Sequence, residues 1–197
     1  MREITSDSFY KLIEKYDRCL LDYFLIEADT PHQGIASHKE AVDYAMCLIN
    51  ESYLCYQIGI DEDEDEDENP FNWDIDEAFA EPISPASFLY APNVIGKDCN
   101  GMPKYDCDLQ GITSGGQLPY WYAFLNEPCI TGYTVDDFAK INSALFPNGD
   151  ECLEVYEWST NWSTYFDDGH EWWGTACFSI YDRSLNRYAV IMASATD

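Results

Sequence analysis

His170 and Glu171 stand side by side ahead of Trp172-Trp173, the most enzyme-like cluster in the chain. General acid–base chemistry needs two such groups to converge on one substrate. Here they follow Asp167-Asp168-Gly169, which reads as a turn, so alternation along the strand start after it sends the two side chains to opposite sides. The zinc pattern HExxH fails because position 174 is Gly. For glycoside hydrolysis, which needs two carboxyls across a cleft, Glu154, Glu157 and Glu171 are the strand-associated candidates. No GxSxG nucleophile motif occurs. The segment TSGGQLP (113–119) has a glycine pair but neither the GxGxxG order nor a lysine for phosphate. His32 lies near a turn and His38 near a helix start, and both read as surface residues. The sequence thus offers no catalytic residue, no cofactor motif and no metal site, and reads as a non-enzyme.

Cysteines occupy positions 19, 47, 55, 99, 107, 129, 152 and 177, with no CxxC pair among them. Structural zinc sites usually pair ligands two to four residues apart, a spacing missing here. Cys19 and Cys47 fall in helical patterns and Cys177 in a strand pattern, where a reduced thiol behaves as a small hydrophobe. Free thiols are expected, in keeping with a cytoplasmic protein.

Asp61, Glu62, Asp63, Glu64, Asp65, Glu66, Asp67 and Glu68 form an unbroken acidic run inside a chain of formal net charge -27. Residues 61–82 add Asp74, Asp76, Glu77 and Glu81 and contain no base. Acidity is nevertheless spread over the whole chain, since removing the run still leaves a net charge of -19. Such a surface repels nucleic acid and anionic membrane, and attracts basic proteins and divalent cations in a salt-dependent way. The run lacks the glycine of an EF-hand loop, so its cation association is weak and nonspecific.

The composition excludes a disordered acidic protein. At 46% hydrophobic and 16% aromatic, the 197 residues can build a core. One α+β domain is expected over residues 1–197: a helical part to residue 60, an acidic segment at 61–82, an irregular stretch at 83–133, and a helix plus antiparallel sheet at 134–197.

In detail, apolar spacing predicts a helix from Asp7 to Ile26. A second begins at Ser37, with Glu40 completing a capping box, and the two form a hairpin. Tyr53 to Ile60 reads as a strand and 61–70 as a mobile loop. FNWDIDEAF (71–79) reads as a short amphipathic helix, and YWYAFL (120–125) as a buried strand. Thr134 caps a third helix whose core face is Phe138, Ile141 and Leu145. Cys152 to Trp158, Gly174 to Tyr181 and Arg187 to Ser194 make a β-meander. The early apolar stretch Leu20 to Ile26 is broken by Asp22, so neither a membrane span nor an export signal is read there.

Trp158, Trp162, Tyr165, Phe166, Trp172 and Trp173 cannot all point inward on alternating strands. Two readings follow: these rings fill a sheet–helix core, or exposed rings within a charged surround make a protein-binding patch; nucleic-acid stacking needs flanking cations that are missing.

In composition the chain resembles the acidic DNA-mimic inhibitors: anti-restriction proteins, anti-CRISPR proteins and immunity proteins of nuclease toxins. The resemblance lies in charge rather than in a motif. It implies a phage or bacterial protein, in the bacterial or host cytoplasm, that occupies the basic nucleic-acid-binding surface of a nuclease or a CRISPR or restriction effector. The partner-facing residues would be the run Asp61 to Glu68, the carboxylates Asp74, Asp76, Glu77, Glu81, Asp167, Asp168 and Glu171, and the rings of Trp172 and Trp173. The alternatives are a carboxylate-based glycan-active enzyme and a non-inhibitory adaptor.

Overall fold

The computed structural model describes residues 1–58, 70–97, 99, 103–109, 111–126, 128 and 132–195. In chain order the elements are β1 (Arg2–Glu3), α1 (Ser8–Ile13), β2 (Leu21–Glu27), α2 (Ile35–Ile58), β3 (Ala80–Ile83), α3 (Pro85–Leu89), β4 (Val94–Lys97) and β5 (Pro103–Tyr105). They continue with α4 (Tyr120–Leu125), α5 (Val135–Leu145), β6 (Leu153–Trp158), α6 (Asp167–Glu171), β7 (Thr175–Asp182) and β8 (Arg187–Ser194). The class is α+β. A six-stranded antiparallel sheet has the order β1-β2-β8-β7-β6-β3, and β4 pairs separately with β5.

Both faces of this sheet are covered, which sets the pattern of its strands. Leu21, Tyr23 and Leu25 of β2, Ala176, Phe178 and Ile180 of β7, and Ala189, Ile191 and Ala193 of β8 face a core closed by α1, α3, α4 and α5. The alternate residues Ile26, Cys177, Tyr181, Tyr188, Val190 and Met192 face α2 and the aromatic segment 158–166. Every residue of β7 is buried. A strand covered on two sides loses its polar face and reads as a continuous apolar run.

That coverage explains the main correction to the sequence reading. The expected helix from Asp7 to Ile26 is α1 followed by β2, so the N-terminal helical hairpin does not form. Leu20, Tyr23 and Phe24 satisfy helical spacing, but β2 buries both parities between β1 and β8. The second helix starts at Ile35, ahead of Ser37, whose hydroxyl accepts from Gln33 N (3.0 Å) instead of joining Glu40 in a capping box. It runs to Ile58 through most of the expected strand at 53–60, while residues 59 and 60 lie outside the described residues.

The segment 71–79 forms only a 3-10 turn at Ile75–Glu77, capped by Asp74, whose carboxylate accepts from Asp76 N (2.9 Å). YWYAFL is α4 rather than a strand: Pro119 leads into it, and Tyr120, Trp121, Ala123, Phe124 and Leu125 are buried. Periodicity cannot separate a short helix from a strand when all sides are covered. Asp167-Asp168-Gly169 opens α6 rather than making a turn.

Other elements follow the sequence. Thr134 and Asp137 form a reciprocal capping box on α5, whose buried face includes Phe138, Ile141 and Leu145. β6, β7 and β8 form the expected meander. Its last turn is set by Asp182, whose carboxylate accepts from Ser184 N and Leu185 N. Among the described residues, Cys47, Cys99, Cys107, Cys152 and Cys177 are free thiols. No helix among the described residues is long and apolar enough to cross a membrane.

Candidate functional site

The run Asp61 to Glu68 lies outside the described residues. The acids at 74–81 lie within them. Asp74, Asp76, Glu77 and Glu81 are all exposed, on the turn leading into β3 and on β3 itself, the edge strand beside β6. Asp76 holds Lys39 at 2.6 Å, and that ion pair lowers the carboxyl's pKa. Phe79 sits among these acids with 64% of its surface exposed, a residue the sequence reading placed in a helix and did not single out.

The chain crossing at 72–74 joins this strip to a second one. Trp73 bridges Ser163, and Asp74 N donates to Trp162 O (2.9 Å). An open groove of about 340 Å³ results, lined by Trp73, Asp74, Asn161, Thr164 and Asp167. Asp74 and Asp167, far apart in sequence, therefore share one concavity. Asp168 and Glu171 are exposed on the same short α6.

The aromatic patch divides. Trp158, Trp162 and Phe166 are buried, and Trp158 Nε1 donates to Ser179 Oγ (2.8 Å). Trp173 packs against the core and donates to Asn126 O (3.1 Å), while Trp172 stays 36% exposed. Of the expected Trp172-Trp173 pair, only Trp172 is exposed, and less so than Phe79.

His170 holds structure together. Its Nδ1 donates to Gly115 O (3.1 Å), so Nε2 accepts from the Thr160 hydroxyl (3.2 Å). Both ring nitrogens are engaged, and Glu171 is exposed beyond them. The TSGGQLP glycines belong to the same junction. Gly115 has φ +72°, and a Cβ there would stand 2.1 Å from His170 O. Gly115 N donates to Trp172 O, and Thr175 N to Gly116 O. The glycine pair serves close backbone approach rather than phosphate binding.

The candidate glycosidase carboxyls do not converge. Glu154 and Glu157 are three residues apart on β6, so they emerge on opposite faces. Glu157 lies directly opposite Glu81 of β3. Burial first, and the charge of Glu81 second, raise its pKa above the ordinary 4.5. A raised carboxyl pKa means that ionisation costs the folded state stability at neutral pH. That cost fades as pH falls through the raised value towards 4.5. Glu157→Gln is therefore expected to stabilise the protein by about 0.5–1 kcal/mol at pH 7, the range for like charges across strands. Paired urea denaturation curves at pH 7 and pH 4 check this, with the gain disappearing at pH 4.

Glu154 faces the other way, with Tyr156 and Trp158, towards the start of α2. There it meets two histidines. His32 Nε2 is 3.3 Å from Glu154 Oε2, and His38 Nε2 is 3.6 Å from Glu154 Oε1. His32 Nδ1 bonds the Tyr188 hydroxyl at 2.7 Å, and its ring stacks on Tyr181 at 3.9 Å. His38 Nδ1 bonds Ser179 Oγ at 2.8 Å. His38 is wholly buried rather than superficial, because Ile35–Ile58 lays its first turn across β7. Burial first, and His32 second, hold its pKa down to about 3, so the ring is neutral. Its Nε2 is enclosed without a hydrogen-bond partner among the described residues.

Comparison with protein-family models, curated proteins and solved structures returns no match.

Proposed function

We propose that this chain is an acidic inhibitor that occupies the basic nucleic-acid-binding surface of another protein, in the manner of anti-restriction, anti-CRISPR or toxin-immunity proteins. The observation that carries the reading is the strip Asp74, Asp76, Glu77 and Glu81 around exposed Phe79, continued by a groove to Asp167. Carboxylates held on a strand edge and a capped turn can stand where a partner expects phosphates. The net charge of -27 draws a basic partner in, and the fixed acids then set its register. Phe79 supplies the apolar anchor that charge alone lacks, with Trp172 as a second exposed ring near Asp168 and Glu171.

Capture on the immobilised protein at low salt is expected to recover a nuclease or other basic DNA- or RNA-binding protein. Recovery of neutral or acidic partners alone counts against the proposal. For the captured partner, Phe79→Ala should raise the dissociation rate roughly 30-fold, about 2 kcal/mol, as removal of a central ring does. The association rate should barely change, since no charge is removed. Surface plasmon resonance separates the two rates. An unchanged melting midpoint should accompany the loss, because an exposed ring contributes little to the core.

A further inference from the structure

We propose that His32, His38 and Glu154 form a binding site for a divalent transition metal, with zinc the best fit. The ligand atoms of the three residues lie within 4.8 Å of one another. In a tetrahedral zinc site, bonds of about 2.0–2.2 Å put neighbouring ligand atoms roughly 3.3–3.5 Å apart. The two nitrogen–carboxylate distances, 3.3 Å from His32 to Oε2 and 3.6 Å from His38 to Oε1, are close to that spacing, each imidazole facing its own oxygen of the carboxylate.

The second observation is His38 itself. The His38 side chain is 0% exposed, yet its Nε2 has no hydrogen-bond partner among the described residues and faces a carboxylate oxygen of Glu154 at 3.6 Å. A buried polar atom left so is costly, and a cation between nitrogen and carboxylate satisfies both.

The surroundings set the ligands for this role. Nδ1 of His32 is engaged by Tyr188 and Nδ1 of His38 by Ser179, which turns both Nε2 atoms towards Glu154, His32 Nε2 within hydrogen-bond distance of Oε2 and His38 Nε2 unpartnered. Ser179 is fixed in turn by Trp158 Nε1, and His32 is clamped by its stack on Tyr181. The two imidazoles are borderline donors that, with one carboxylate, favour zinc and its neighbours over calcium or magnesium. Three protein ligands leave a fourth position, open on the side where Glu154 is 35% exposed. An exchangeable water or a partner's side chain can fill it, as in zinc sites that are not closed. The metal would tie the β2–α2 connection and the first turn of α2 to β6.

The probes are zinc chloride by titration calorimetry, and cobalt chloride by visible absorption, on the full chain at physiological ionic strength. One tight equivalent of zinc is expected, and cobalt should show the visible bands of a four-coordinate site. Because His38→Ala empties a buried position and risks unfolding, the variants are His32→Gln and Glu154→Gln at partly exposed positions. Each should lower zinc affinity about 100-fold, and Ser179→Ala about tenfold. Replacing Asp61 to Glu68 with a Gly/Ser linker should leave the tight equivalent intact. The proposal is overturned if the unaltered chain binds no stoichiometric zinc. It is equally overturned if the tight equivalent survives Glu154→Gln and disappears with the acidic run.

Discussion

Neutralising the ordered acidic strip, by Asp74→Asn, Asp76→Asn, Glu77→Gln and Glu81→Gln together, is expected to weaken partner binding about 100-fold. Four exposed charges, averaging about 0.7 kcal/mol each at an interface, sum to roughly that loss. Asp76 contributes least, because Lys39 already neutralises it. Asparagine at position 74 keeps the cap on the 75–77 turn, since its side-chain oxygen accepts from Asp76 N as the carboxylate does. The fold should therefore survive, helped by relief of self-repulsion in so acidic a chain. Replacing Asp61 to Glu68 with Gly/Ser removes twice as many charges, yet should cost less affinity. Its effect should appear as slower association with a smaller salt dependence, the mark of steering rather than contact. Titrations of both variants at two salt concentrations rank the two segments.

Arg187→Ala should lower the thermal unfolding midpoint by about 10 °C. Arg187 begins β8, and its side chain is 9% exposed. It donates to Asp7 Oδ2 (2.5 Å) and to Leu145 O (2.7 Å). One side chain thus ties the cap of α1 and the last turn of α5 to the sheet. Removing it leaves Asp7, whose carboxylate also accepts from Phe9 N, without its cation. Breaking a largely buried pair from one side costs about 3–5 kcal/mol, and each kcal/mol shifts a domain of this size by about 2–4 °C. A loss confined to a degree or two would show that the pair is not energetically engaged.

What the sequence disclosed follows from how local each signal is. Thr134, Asp137 and the Phe138, Ile141, Leu145 face specify α5 within a dozen residues, and the meander carries its own turn in Asp182 to Asn186. β2 was not legible as a strand, because its second apolar face is covered by α2, an element later in the chain. His38 looked superficial for a related reason. Its burial depends on Ser179, 141 residues away, and on Glu154. One clue was present: Glu154, Tyr156 and Trp158 alternate on β6, so Glu154 had to share a face with a large ring. The spread of acids along 74–81 was visible from the start. Their gathering with Asp167 around one groove was not, since it requires the pairing of Trp73 with Ser163.

Competition between this protein and nucleic acid for one captured basic partner tests the central claim most directly. A labelled duplex or RNA bound to the partner is titrated with the protein at rising salt, and the displaced label is read by anisotropy. Mimicry predicts full displacement by the unaltered chain, weakening steeply with salt because phosphate contacts are being replaced. It also predicts an inhibition constant raised about 100-fold by the four-acid variant, matching its loss of binding. A ternary complex of partner, protein and nucleic acid, with the affinity for nucleic acid unchanged, contradicts the claim and leaves an adaptor in its place.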